Sequence, residues 1–298
     1  MHNEEKEGVA MTPAEKLHIH HEKLIGTIRD LAERAKSDNA EASLLITFCS
    51  EYLISHAEAE EVTLYKASTD AAFVESMIHE HREIKDILEA IGSAYGKGNS
   101  AGIVSETEEF IALLDKHFGE EENALMPGLT KELSREELEG LVQEAHQVEA
   151  EKKKSDLWSL FEHDHKRIDF NISRLRKSAG SPEAANGIYS KVRAQLLKHI
   201  ELEEAVLFPA FSEHAEPAQT GPVQVMIAEH REITSILVTA GNPVDGNSLG
   251  QNIDALIGRL AVHNKKEELI LYPMINRALR TPDRVKIFKE CFEGMAAV

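Results

Sequence analysis

One short pattern occurs four times in this 298-residue chain. The copies are HAEAEEVTLYK (residues 56–66), HFGEEENALMP (117–127), HIELEEAVLFP (199–209) and HNKKEELILYP (263–273). Each reads His, three residues, Glu-Glu, two residues, Leu. On a helix the His, the first Glu and the Leu stack on one face. The second Glu is expected to turn away toward water.

The pattern belongs to a larger repeat. MIHEHREI (77–84) returns as MIAEHREI (226–233), GNSAG (98–102) as GNSLG (246–250), and HEKLIGTI (21–28) aligns with HKRIDFNI (165–172). The chain therefore reads as one domain written twice, over residues 1–150 and 155–298. The joint VEAEKKKS (148–155) is expected to continue the flanking helices. Periodicity is helical throughout. The first helix of each half places Leu17, His21, Leu24, Ile28 and Leu31, or Phe161, His165, Ile168, Ile172 and Leu175, on one face. The third places Met77, His81, Ile84, Leu88 and Ile91, or Met226, His230, Ile233 and Leu237. Breaks are expected at 36–39, 92–102, 178–182, 216–222 and 240–250. Nothing reads as a strand. The expected fold is all-α: two tandem up-down-up-down four-helix bundles, each with a shorter C-terminal helix, capped near Ser134 and near Thr281.

Each half thus sets a His on the core face of its first and third helices, and a His with a Glu on that of its second and fourth. The candidates are His21, His56, Glu60, His81, His117 and Glu121, then His165, His199, Glu203, His230, His263 and Glu267. Any one His on such a face is ordinarily a hydrogen-bonded core residue. The set resists that reading, because two carboxylates inside a bundle cost several kcal/mol unless paired or metal-bound. No Lys or Arg sits one turn from Glu203 on its face. The same arrangement recurs in the other half, so metal binding is the expected role. Imidazole with carboxylate suits Fe, Zn, Mn and Cu alike. Six side chains suit two ions bridged by the two glutamates. Leu64, Leu125, Leu207 and Leu271, one turn past each Glu, should form a dry layer over the metals. Pro127, Pro209 and Pro273 should kink or end their helices just beyond.

The repeat also serves as an internal control. His2, His18, His20, His79, His146, His163 and His214 have no twin, and they are expected to face solvent or to support ligands from behind. Glu80 and Glu229, which precede the third-helix histidines, are candidate partners for imidazole nitrogens.

Composition bounds the setting. The net charge of −19 lies wholly in residues 1–150, which hold 32 acidic and 13 basic residues; residues 151–298 are balanced. No basic patch invites nucleic acid or an anionic membrane. No run of 18 apolar residues could span a bilayer. The acidic start MHNEEKEG lacks the apolar run of a signal peptide. Cys49 and Cys291 have no redox or metal spacing, which fits a reducing compartment. A cytoplasmic location is the expectation.

Single His, His-x-x-x-Glu, single His, His-x-x-x-Glu on four helices resembles the hemerythrin-like, or HHE cation-binding, family. DHKRI (164–168), HIELEEAVLFP, EHREI and HNKKEELILYP carry the resemblance, and it spans both halves. It implies a non-haem di-iron centre in each half, four iron ions per chain, with bridging glutamates. The irons would be held by His165 with His199 and by His230 with His263, and likewise in the first half. Oxygen-carrying hemerythrins have a further His one turn along the third helix. Here Met77 and Lys85 flank His81, and Met226 and Thr234 flank His230. The ligand set is instead similar to that of proteins implicated in repair of iron centres. The first half also carries His20 where the second has Asp164, and Lys66 where the other copies have Pro.

The expected function is binding of, and response to, dioxygen or nitric oxide. A redox enzyme of NO or peroxide detoxification or of iron-centre repair, served by an electron-donor protein, is the alternative, and iron storage or scavenging the third. The absence of a flavin or cluster motif favours binding. The internal control yields a prediction. His163→Ala and His79→Ala should leave metal content unchanged, whereas His165→Ala and His81→Ala should lower it, as read by elemental analysis.

Overall fold

The computed structural model describes residues 11–178, 181–216, 219–239 and 246–298. Parts of the joints expected at 178–182, 216–222 and 240–250 lie outside the described residues, as does His2. Among the described residues every regular element is a helix, and none is long and apolar enough to cross a membrane. The chain forms two compact units, the first ending at Lys153 and the second beginning at Lys154.

In the first unit, α1 (Pro13–Ser37) leads to α2 (Ala42–Phe48), a π-turn at Cys49–Leu53, α3 (Ile54–Val62) and α4 (Leu64–Ala67). Then come α5 (Ala71–Gly96), α6 (Ser100–Glu120), a π-turn at Glu121–Leu125, α7 (Met126–Glu132) and α8 (Arg135–Lys152). The α2–α4 run behaves as one long interrupted helix, as does α6–α7. Consecutive long helices are neighbours and α6 closes back on α1, so four helices surround one core. The predicted core faces of α1 and α5 are buried. The second unit repeats the plan with α9 (Leu157–Lys177), α10 (Pro182–Leu202), a π-turn at Glu203–Leu207 and α11 (Phe208–His214). It continues with α12 (Gly221–Thr239), α13 (Gly246–Lys266), a π-turn at Glu267–Leu271, α14 (Tyr272–Ala278) and α15 (Thr281–Ala296). Its core joins Ile168, Ile172, Val192, Leu196, Ile233 and Leu260.

Four local expectations need correction. The joint is not a continuous helix: α8 ends at Lys152, Ser155 takes φ +44°, and Asp156 caps α9 through the Trp158 and Ser159 amides. The break at 92–102 shrinks to three residues between α5 and α6, with Asn99 accepting from Gly102 N–H. Thr281 is the first residue of α15 and not its cap; Arg280 precedes it without a capping bond. The prolines, finally, do not end their helices. Met126, Phe208 and Tyr272 donate their N–H to the carbonyls of Glu121, Glu203 and Glu267, five residues back. A proline lacks an amide hydrogen and its ring crowds the carbonyl four residues earlier, and one π-turn relieves both faults while the helix runs on. The copy with Lys66 has no π-turn there. It breaks at Thr63 instead (φ −121°, ψ −86°), whose hydroxyl bonds the Ala59 carbonyl.

Ser134 does cap α8, in a reciprocal box with Glu137. Ser134→Ala should therefore cost about 1 kcal/mol, read as a lower denaturant midpoint, whereas Thr281→Ala should leave the midpoint nearly unchanged.

Candidate metal centres

All twelve sequence-predicted residues are at most 4% exposed. The fold brings them together as two sextets. In the first unit α1 supplies His21, α3 supplies His56 and Glu60, α5 supplies His81, and α6 with its π-turn supplies His117 and Glu121. Glu60 Oε1 lies 3.1 Å from His56 Nε2 and 3.6 Å from His21 Nε2, while its Oε2 faces His81 Nε2 at 3.8 Å. Glu121 divides the same way, Oε2 to His21 (3.5 Å) and Oε1 to His117 (3.6 Å). His81 and His117 meet at 3.0 Å between Nε2 atoms. Two donor groups result, His21–His56 and His81–His117, each completed by both glutamates.

The second unit is similar, except that its His165–His199 group gathers with Glu267 and without Glu203. His165 and His199 approach to 3.1 Å through Nε2. Glu267 Oε2 lies 3.4 Å from His165, and its Oε1 lies 3.1 Å from His263 and 3.6 Å from His230. Glu203 Oε2 lies 3.5 Å from His199 and 3.2 Å from His230.

This donor set fits cations. His21 Nε2, His56 Nε2, both Glu60 oxygens, Glu121 Oε2, Glu203 Oε2, His230 Nε2 and Glu267 Oε1 are buried without a hydrogen-bond partner. Orphaned buried polar atoms are costly, and here they converge on common points. Two carboxylates also share each interior. Burial and the charge of Glu60 push Glu121 up to about 7. Burial alone would lower the histidines, but their carboxylate neighbours, Glu267 and Glu268 for His165 and Glu203 and Glu267 for His230, outweigh it and hold each near 10. Such a cage favours positive charge, which bound cations would supply.

The second Glu of each motif does not simply face water. Glu122 reaches His21 Nδ1 at 3.1 Å, Glu61 reaches His81 Nδ1 at 2.8 Å, Glu204 reaches His230 Nδ1 at 2.8 Å, and Glu268 reaches His165 Nδ1 at 2.8 Å. They remain about one-third exposed, so the reading was right about the face and wrong about the reach. Glu80 and Glu229 take the Nδ1 atoms of His117 and His263, at 3.1 and 3.0 Å. Lys116 and Lys266 ion-pair with these two in turn. The last two imidazoles differ between units. His199 Nδ1 meets Asp164 at 2.9 Å, and Asp164 pairs with the fully buried Arg167. His56 Nδ1 lies 3.5 Å from Glu149 of α8, which also meets His20 and Lys153. All eight imidazoles therefore have a carboxylate behind them. That fixes the ring and turns Nε2 inward.

Among the histidines without a twin, His79 is exposed and His18 touches Glu122 at 2.9 Å. His214 bonds the Ala210 carbonyl, and His163 is partly buried. His20 rests against His56 and His146, with ring centroids 4.9 and 5.2 Å apart.

Two residues escaped the sequence reading. Tyr65 Oη donates to Glu121 Oε1 at 2.5 Å, and Tyr272 Oη donates to Glu203 Oε1 at 2.8 Å. Both follow a motif Glu by five positions, which on an unbroken α-helix points away from its face. The break at Thr63 and the π-turn at Glu267–Leu271 turn them inward. For Tyr272 the signal in the sequence was Pro273, which announces a local change of register; Tyr65, followed by Lys66, carried no such signal.

A family model described as Hemerythrin HHE cation binding domain matches residues 12–129, 73–151 and 156–281. No curated protein and no solved structure matches the chain.

The supporting carboxylates yield a prediction. Glu204→Ala should weaken metal retention about tenfold or more, measured by chelator competition, whereas Glu232→Ala on the exposed side of α12 should leave it unchanged.

Proposed function

Because the chain belongs to the hemerythrin HHE cation-binding family, we propose that each unit holds a dinuclear non-haem iron centre that binds and responds to dioxygen or nitric oxide. The observation that carries this reading is the division of Glu60, Glu121 and Glu267, whose two oxygens face different histidine groups. A carboxylate so placed would bridge two ions. His21 with His56, His81 with His117, His165 with His199, and His230 with His263 would each hold one ion, four per chain. Four imidazoles against two carboxylates leave a pair of divalent ions with about two positive charges. That balance suits a reduced pair, which supplies redox-active binding of a small diatomic.

The chain's own side chains do the rest. The outer carboxylates keep each imidazole in one tautomer and orientation. Leu64, Leu125, Leu207 and Leu271, all at most 2% exposed, keep bulk water off one end of each centre. Beside His56 and Glu60 a cavity of about 10 Å³, walled by Leu17, Leu64, Val142 and His146, is near the size of one water molecule.

Anaerobic iron loading tests the proposal. Elemental analysis should give four irons per chain, and His199→Ala with Glu203→Ala should reduce this to two. The reduced protein should change its absorption spectrum on adding NO or O₂ without any electron donor. One ion per unit in fully loaded protein, or a spectrum indifferent to both gases, would contradict it.

A further inference from the structure

The two tyrosines stand in a relation to the histidine groups that hydrogen bonding alone does not explain. Tyr272 Oη lies 3.4 Å from His165 Nε2, 3.5 Å from His199 Nε2, 2.8 Å from Glu203 Oε1 and 3.3 Å from Glu267 Oε2. Donors held ~2.1 Å from one ion at right angles lie about 3 Å apart. The phenol oxygen thus has the spacing of one more donor in the same shell. Tyr65 Oη stands likewise 3.3 Å from His81 Nε2 and 2.5 Å from Glu121 Oε1, its ring stacked on His81. Both side chains are almost wholly buried.

The motif contains its own control. The same position in the partner motif of each unit holds Met126 or Phe208. These are also buried, and Phe208 stacks on His230, the group opposite Tyr272. Neither can supply an anionic oxygen. The tyrosine also changes sides. It comes from the second helix in the first unit and serves the His81–His117 group. In the second unit it comes from the fourth helix and serves the His165–His199 group.

We propose that Tyr65 and Tyr272 are metal ligands, one phenolate per centre, so that each pair of ions has one tyrosine-capped member and one whose motifs offer no tyrosine, Met126 or Phe208 standing at the equivalent position. On coordination the phenolic O–H bond breaks, an oxygen–metal bond forms, and the proton passes to solvent; no electron is transferred. The centres are then lopsided in charge and access. A small ligand should enter on the side of His21–His56 in the first unit and of His230–His263 in the second. The inference rests on the dinuclear iron reading above.

The test uses the full chain loaded with iron and oxidised to the ferric state. A phenolate on ferric iron gives a charge-transfer band in the visible, with tyrosine ring modes enhanced in resonance Raman. With the band read per iron bound, Tyr65→Phe and Tyr272→Phe should each halve it, and the double variant should abolish it. Phe208→Tyr should raise the band by half, since it would add a third phenolate. Loaded wild-type protein with no phenolate signature, or variants that leave the band untouched, would overturn the inference and leave the dinuclear reading standing. A chain that takes up no iron would overturn both.

Discussion

A pair of carboxylates sealed inside each helical unit is the constraint on which everything else depends. Taking an ionised carboxylate out of water costs several kcal/mol even after relaxation, and Glu60 with Glu121, or Glu203 with Glu267, are at most 1% exposed. Four imidazoles per unit lie around each pair, and in the proposed centres metal ions bring the remaining positive charge. The helices themselves are ordinary amphipathic elements held by Ile, Leu and Val. Their common core face is interrupted at one level by polar residues that a bound cation would reconcile.

Around that level the charges alternate outward. Imidazole Nδ1 atoms meet carboxylates, and several of these meet a Lys or Arg nearer the surface, as in His117–Glu80–Lys116 and His263–Glu229–Lys266. The two units solve one corner differently. The second uses Asp164 from the helix that also carries His165, braced by Arg167, which bonds the Met295 carbonyl of α15. The first has His20 at that position and brings Glu149 from its C-terminal helix, braced by Lys153. The C-terminal helix thus supports the site in both units, through a carboxylate in one and a carbonyl in the other.

The all-helical fold and the burial of the twelve His and Glu side chains were legible in the sequence, because the relevant signals are local. A stripe at helical spacing marks the buried face, and polar residues in that stripe mark the site. What escaped it depended on departures from ideal helix geometry or on contacts between helices. Tyr272 was invisible because a straight helix turns it away, and only the π-turn ahead of Pro273 returns it. Glu122 and Glu268 were misjudged because their neighbours lie on other helices, out of reach of any spacing rule. The joint at 148–155 looked helical by composition, yet Ser155 adopts a left-handed conformation and Asp156 starts a new helix. Thr281 had the right chemistry for a cap one residue too late.

X-ray absorption at the iron edge of the fully loaded chain tests the central claim most directly, because it reports the ion pair itself. The account predicts a mixed nitrogen and oxygen shell together with a metal–metal vector of about 3.5 Å. A spectrum with no metal–metal vector, from protein holding its full complement of iron, would show isolated ions and contradict the bridging role of the buried glutamates.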